Sequence, residues 1–173
     1  AAVNMAGFDL TLDSGANAAA ALTVASLTAT GTARLNVREA GSFTVSGAVS
    51  VPTVELRSIT GAASFGGNFS ASSLQTVAAG YSVAFLGSTT QVTNAVTLLN
   101  TGGVTLGNGG DVLTFDGGLT STASTTTLNG TFNTTNDPAT FTAVSVTGSS
   151  SINTGSGNVT ATALSVAANA LSI

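Results

Sequence analysis

Residues 41–50 read Gly41-Ser-Phe-Thr-Val-Ser-Gly-Ala-Val-Ser50, two short runs of alternating apolar and small polar residues that meet at Gly47. A period of two puts alternate side chains on one face of a strand. Branched Val and Thr suit a pleated surface, and glycine marks a turn. The segment therefore predicts two short strands joined by a tight turn.

The same alternation continues from end to end of the chain. Further examples are Leu10-Thr-Leu12, Val83-Ala-Phe85, Val104-Thr-Leu106, Leu113-Thr-Phe115 and Val144-Ser-Val146. No long pattern with a period of 3.6 residues competes with it. Asn17, which precedes four alanines, resembles the cap of a helical turn, but Leu22-Thr-Val24 returns at once to the strand pattern. The sequence predicts an all-β protein.

Turn residues recur at intervals that repeat in order. The gaps between them are 16, 14, 19 and 22 residues, and then 15, 13, 18 and 21. The residues that define these gaps are Gly31, Gly47, Gly61, Gly80, Gly102, Gly117, Gly130, Gly148 and Asn169. We interpret residues 1–173 as a single β-solenoid segment with an internal repeat of about 70 residues, roughly 31–101 and 102–169. We expect the segment to belong to a longer chain or filament.

Stacked repeats of this kind bury an apolar face that no single unit buries alone. Gaps of this length suit one rung of a parallel β-helix, so about eight or nine rungs are expected, stacking end to end. Inward Val, Leu, Ile and Phe would form columns along the axis. The alternative fold is a pair of antiparallel β-sandwich domains, which would require hairpin signals every 8–12 residues.

The repeat style resembles that of a known group of bacterial surface proteins. Its clearest examples are residues 41–50, Val104-Thr-Leu-Gly107 and Asp111-Val-Leu-Thr-Phe-Asp-Gly-Gly-Leu-Thr-Ser-Thr122. These segments resemble the degenerate repeats of filamentous-haemagglutinin-like and autotransporter-like β-strand-repeat proteins, over essentially the whole chain. The resemblance implies a secreted, right-handed β-helical rod that forms adhesins, sheaths or matrix fibres. It implies no active-site residues.

Composition excludes many functions. Only 6% of residues are charged, and the chain has no Lys, His, Cys or Trp. Without His or Cys there is no histidine base, thiolate nucleophile or zinc site. Three Arg and a net charge of −4 cannot neutralise a nucleic acid backbone. No apolar stretch is long enough for a transmembrane helix. The sequence therefore predicts neither an enzyme nor a partner of nucleic acid, and no membrane span.

A few polar residues are candidates for local chemistry. Asp111 and Asp116 lie in a glycine-rich stretch of the type that supplies oxygen ligands to calcium, although solvated corner residues are the simpler interpretation. One stretch of the sequence holds Arg34, Arg38, Glu39, Glu55 and Arg57. We expect these residues to form salt bridges between successive rungs. Thr-x-Thr runs such as Thr120-Ser-Thr122 and Thr160-Ala-Thr162 are typical of ice-binding solenoids, but we expect them on scattered rungs, as products of β-propensity.

Two functions remain open from the sequence. The first is a structural element of an extracellular bacterial fibre, sheath or surface layer, whose partners are copies of itself or adjacent repeats, end to end. The second is an adhesin passenger that binds a glycan or a host surface. Tyr81 is the sole tyrosine, and most of the eight Phe fall in strand runs, so few aromatic rings are expected at the surface for sugar stacking. The sequence favours the structural function.

Overall fold

The alternating runs of the sequence form short strands that pair in parallel. The computed structural model describes residues 1–15 and 19–173, and every strand pair in these residues is parallel. Successive passes of the chain stack as a β-solenoid of about eight coils. The prediction of an all-β parallel β-helix is confirmed. The antiparallel alternative is wrong, because each strand pairs with strands one coil away and not with a hairpin neighbour.

The part of the chain that the structure describes contains twenty strands and no helix. In chain order they are β1 (Ala2–Asn4), β2 (Leu10–Asp13), β3 (Ala21–Val24), β4 (Ser26–Thr28), β5 (Arg34–Ala40), β6 (Ser42–Val45), β7 (Val49–Ser50), β8 (Thr53–Ile59), β9 (Ala62–Phe65), β10 (Phe69–Ala71), β11 (Ser73–Thr76), β12 (Ser82–Phe85), β13 (Thr89–Val92), β14 (Val96–Thr97), β15 (Val104–Phe115), β16 (Leu119–Asn133), β17 (Ala139–Val146), β18 (Ser150–Asn153), β19 (Val159–Ser165) and β20 (Leu171–Ser172). The alternative of a helical turn after Asn17 lies outside the described residues.

The strands line three faces of the solenoid. Face 1 is built on β1, β4, β7, β10, β13, β18 and β20, face 2 on β2, β5, β8, β11 and β14, and face 3 on β3, β6, β9 and β12. The longer strands β15, β16, β17 and β19 each turn a corner and contribute to more than one face. All three faces therefore continue from the first coil to the last.

The register of the strands gives the length of a coil. Phe65 pairs with Phe85, one coil further along the chain. The advance from a residue to its partner is shortest between Thr125 and Ala143 and longest between Asp13 and Glu39. At about 4.8 Å for each coil, the stack is about 40 Å long.

Only some of the gaps between the turn glycines measure whole coils, because several of these glycines occupy different corners. Gly47 lies between β6 and β7, Gly61 lies between β8 and β9, and Gly117 lies between β15 and β16. The gap from Gly47 to Gly61 therefore covers only part of a coil, whereas the gap from Gly80 to Gly102 spans about one coil, since a Cβ on Gly102 would meet the backbone of Gly80. The longer internal repeat inferred from these gaps is a separate period from the coil and stays a prediction.

Phenylalanine fills much of the interior, as the strand runs predicted. Seven of the eight Phe are buried and touch in one unbroken series of rings. The series consists of Phe43, Phe65, Phe69, Phe85, Phe115, Phe132 and Phe141. Phe65 and Phe85 stack with their centroids 5.4 Å apart and 13° between the ring planes. Ring contacts of this kind stabilise a core by about 0.5–1.5 kcal/mol beyond the burial of area.

Three glycines stack at the corner between faces 3 and 1. Gly47, Gly67 and Gly87 stand at equal spacing on consecutive coils. A Cβ atom on Gly67 would collide with the backbone of Gly47, and one on Gly87 would collide with the backbone of Gly67. The coils pack so closely here that only hydrogen fits, which explains why the corner of each of these coils carries glycine.

Candidate assembly interface

The last described coil leaves its apolar positions uncovered. Leu164 continues the inward column of Val144 but is 50% exposed, because the described residues place no strand over it. Ile173 is 71% exposed, and the register of β18 with β20 places it next to Ile152. A hollow of about 480 Å³ lies between Ile152, Val159 and Ile173. The end of the core is therefore open to solvent.

The first coil is open in the same way. Strands β1, β2 and β3 each have a parallel partner on one side only. Their inward residues Val3, Leu10, Leu12 and Leu22 are only partly buried against the core, and nearby Phe8 is 78% exposed. This end also presents apolar side chains beside unpaired strand edges.

The two ends are geometrically compatible. Each has a strand edge on every one of the three faces, and the strands at both ends run in the same direction around the axis. An open edge presents a row of unpaired N–H and C=O groups, which readily add another strand. A further coil, from more of the same chain or from a second copy, would extend all three ladders and cover the apolar residues.

These apolar end residues were not singled out from the sequence. The available signal was that alternation continues through Leu164 and Leu171 to Ile173 without a polar or proline-rich break. The sequence alone does not show which inward residues are buried, because burial depends on whether a neighbouring coil packs against them.

The calcium candidates Asp111 and Asp116 lie at different corners. Asp111 is buried, and its Oδ2 accepts the N–H of Asn108 at 2.7 Å. Asp116 accepts bonds from Gln91 Nε2 at 2.5 Å and from Thr135 Oγ1 at 3.0 Å. The extended strand between the two aspartates spans about 17 Å. In the described part of the chain, no group of three or more aspartate or glutamate side chains is placed to hold a metal ion. The structure does not bring the two carboxylates together.

The predicted salt bridges between coils are present on face 2. Arg34 Nη1 lies 2.6 Å from Glu55 Oε1 on the next coil, and Arg38 Nε lies 3.8 Å from Asp13 Oδ2 on the preceding one. Arg57 Nη2 contacts Glu55 Oε2 from within the same strand, at 2.7 Å. The Glu55 side chain is only 3% exposed, whereas both of its arginines are about half exposed. All the basic residues of the chain thus neutralise acids of the first three coils.

The expectation that the Thr-x-Thr runs lie on scattered rungs is wrong for one set. Thr120, Thr140 and Thr160 each begin a Thr-x-Thr run and are register partners on three consecutive coils of face 2, and Thr97 continues the row on the coil before. The three runs are evenly spaced along the chain, but their spacing equals none of the gaps between the turn glycines. At the adjacent corner the hydroxyl of Thr142 donates to the carbonyl oxygen of Thr122, at 2.6 Å. These threonines take part in bonding between coils.

Four asparagines lie in Asn-x-Ser or Asn-x-Thr, the sequence that accepts an N-linked glycan, and they differ in exposure. Asn68 and Asn158 are exposed, while Asn129 and Asn133 are half-buried. The side-chain oxygen of Asn133 accepts an amide hydrogen from Asn153 on the next coil, at 3.0 Å.

The comparisons with known proteins gave no relative. No family model, curated protein or solved structure matches the chain. Among the described residues, no helix is long and apolar enough to cross a membrane. The resemblance to filamentous-haemagglutinin-like and autotransporter-like repeats therefore rests on the repeat style of the sequence, and the function has to be argued from the solenoid itself.

Proposed function

We propose that this chain is a structural segment of an extracellular bacterial fibre, sheath or surface layer that gains length by stacking solenoid coils end to end. The observation that carries the proposal is the pair of open ends, where three parallel strand edges surround uncovered apolar side chains. Burying one such large side chain fully contributes about 1.5–3 kcal/mol. Adding a coil therefore satisfies the backbone groups of each edge and buries the core end in one step.

The side chains at the surface favour the structural function over the binding of a ligand at a specific site. Tyr81 is fully buried, so its ring is not presented to a sugar. Seven of the Phe rings lie in the core, and Phe8 belongs to the open first coil. The adhesin alternative would require a platform or projecting loop, and the faces instead carry short Ser, Thr, Ala and Asn side chains. We propose no catalytic role for the chain, since Asp13 and Glu55 lie in salt bridges and the structure does not bring Asp111 and Asp116 together.

Electron microscopy of the purified 173-residue segment tests the proposal. We expect unbranched filaments one solenoid wide, formed in a concentration-dependent manner. Dispersed monomers at all concentrations would contradict end-to-end stacking of copies.

A pair of lysine variants sharpens the test. Leu164→Lys puts a charge on the uncovered core end, and we expect it to abolish filaments. Ser165→Lys is the matched control, because the next residue of the same strand points away from the core and is also exposed. Both variants should keep the β-sheet circular dichroism of the parent. Loss of filaments in both, or in neither, would contradict the role of the open core.

A further inference from the structure

The chain contains two asparagine–glycine pairs, Asn108-Gly109 and Asn129-Gly130, and they face each other on adjacent coils. In such a pair the main-chain nitrogen of the glycine can attack the side-chain amide carbon of the asparagine, because no Cβ atom obstructs the approach. The two pairs have the same covalent chemistry. Their surroundings decide which of them reacts.

The first pair lies in a bulge outside the strand ladder. The register between β15 and β16 passes from Leu106 to Asp111, so residues 107–110 have no ladder partners of their own. Asn108 and Gly109 are exposed. The space around them is open, since an added Cβ would meet its nearest atom at 3.9 Å on Gly109 and nothing within 4 Å on Gly110. No neighbouring atom obstructs the approach of the Asn108 side chain to the Gly109 nitrogen, and the hydrogen bond from Asn108 Nδ2 to the Leu86 carbonyl oxygen, at 3.2 Å, is exposed to solvent.

The second pair is held on both sides. The Gly130 nitrogen donates to Ser150 Oγ at 3.1 Å on the next coil. The Asn129 side chain packs so closely over Gly148 that its Cγ lies 2.7 Å from where a Cβ of that glycine would be. An attack by the Gly130 nitrogen would first have to break the Ser150 bond and move the Asn129 amide out of this packing.

We propose that Asn108 is a site of spontaneous deamidation in the folded protein and that Asn129 is protected. The Gly109 nitrogen forms a bond to Asn108 Cγ, the bond from Cγ to Nδ2 breaks, and the amide nitrogen leaves as ammonia with the proton of the Gly109 N–H. The product is a cyclic succinimide. Water then opens the ring at either carbonyl and gives aspartate or isoaspartate at position 108.

The reaction changes both a bond and the local charge. Asn108 Nδ2 donates to the Leu86 carbonyl oxygen on the preceding coil at 3.2 Å, and deamidation removes this donor. The new carboxylate stands beside Asp111, whose own carboxylate accepts the Asn108 N–H. No Lys or Arg occurs after Arg57 in the sequence to neutralise the pair. Deamidation therefore weakens this corner and adds one negative charge to each copy, whether or not the segment builds fibres.

Peptide mapping by mass spectrometry tests the assignment. The folded protein is incubated at mildly alkaline pH, digested at intervals and scored for deamidation at both pairs. The Asn108 side chain has to release only an exposed bond to the Leu86 carbonyl oxygen, whereas the second pair has to break the Ser150 bond and also move Asn129 out of its packing over Gly148, so Asn108 should react several-fold faster than Asn129. In denaturant the two pairs should react at similar rates, which is the positive control.

Two variants separate the causes. Asn108→Gln should remove the charge change of the folded protein and leave Asn129 intact. Ser150→Ala, which deletes the acceptor of the Gly130 N–H, should speed the reaction at Asn129 without changing the rate at Asn108. The proposal is overturned if Asn129 reacts as fast as Asn108 in the folded parent, or if Asn108 stays intact while both pairs react in denaturant.

Discussion

Arg34 reaches across to the carboxylate of Glu55 on the next coil, with Nη1 2.6 Å from Oε1, and thereby helps to bury an acid that points away from the core. The flanking residues Val54 and Leu56 face inward and are fully buried, so strand alternation directs Glu55 to the surface side. Arg57 covers its other oxygen. Arg34 and Arg57 shield the Glu55 carboxylate from solvent, while their own side chains stay about half exposed.

This arrangement predicts an asymmetry between removing the acid and removing the bases. The double variant Arg34→Gln, Arg57→Gln leaves a buried carboxylate without a cation, and we expect it to lower the free energy of unfolding by about 2–4 kcal/mol. Glu55→Gln leaves two half-exposed arginines that water can solvate, so a loss of about 1 kcal/mol is expected. Denaturant unfolding measures both.

Arg38→Gln is the control for the charge cluster. Arg38 is mostly exposed, and it lies 3.8 Å from Asp13, so its loss should change the unfolding free energy by about 0.5 kcal/mol or less. A loss for Glu55→Gln larger than that for the double arginine variant would show that the acid does not need its cations.

The aromatic core gives a second prediction. Phe85 is fully buried between Phe65, Phe69 and Phe115. Phe85→Ala should destabilise the protein by about 3–5 kcal/mol, because it removes a large buried side chain and leaves a cavity. Phe8→Ala is the matched control, since Phe8 is exposed and its removal should cost about 0.5 kcal/mol or less in dilute protein. Thermal and denaturant unfolding at a concentration without filaments distinguish the two, and equal losses would contradict the assigned core.

The glycine stack makes a third prediction. Gly67→Ala places a methyl group against the backbone of Gly47, which cannot yield without separating the coils, so a loss of about 1–3 kcal/mol or more is expected. Gly80→Ala is the control, because a Cβ there meets nothing within 4 Å and the backbone is outside the left-handed region. It should be neutral or stabilising by about 0.4–1 kcal/mol. Comparable losses in both variants would contradict the assignment of the effect to the close approach of the coils at Gly67.

The sequence was sufficient for the strand type and the solenoid, because both follow from local alternation. Residues such as Phe43, Val45 and Val49 alternate with Ser and Thr, and the structure buries all three. Parallel stacking was also predictable, since strands recur without hairpin signals. The salt bridges between coils followed from the placement of all basic residues within residues 34–57.

The sequence was insufficient wherever the answer depends on register. Coils advance unequally along the chain, so Thr97 pairs with Thr120 across a longer interval than the one from Thr120 to Thr140. Bulges at the corners, such as residues 107–110, change the number of residues in a coil, and no periodic pattern in the sequence marks them. For the same reason the shared acidic stretch of Asp111 and Asp116 did not imply a shared site.

The sole tyrosine gives the fourth prediction, on stability at neutral pH. The Tyr81 hydroxyl donates to the Leu56 carbonyl oxygen at 3.0 Å and accepts the Val77 N–H at 3.2 Å. Tyr81→Phe keeps the ring but leaves both backbone groups without this partner, so a loss of about 1–3 kcal/mol is expected. Denaturant unfolding at neutral pH gives the value. A loss no larger than that of an exposed substitution would mean that water replaces the hydroxyl at this corner.

Tyr81 also predicts how stability depends on alkaline pH. Burial raises the pKa of Tyr81 above its ordinary value of 10.0, only partly offset by the hydrogen bond from Val77. Above about pH 10 the unfolded chain loses this proton while the folded protein retains it. The folded state then binds more protons, and stability falls as pH rises towards the folded pKa.

The gap in unfolding free energy between the parent and Tyr81→Phe should therefore shrink in this range. Because the chain has one tyrosine, tyrosinate absorbance reports its ionisation directly, and in the folded protein it should appear at higher pH than in denaturant. Ionisation near pH 10 with the sheet intact would contradict the buried hydroxyl.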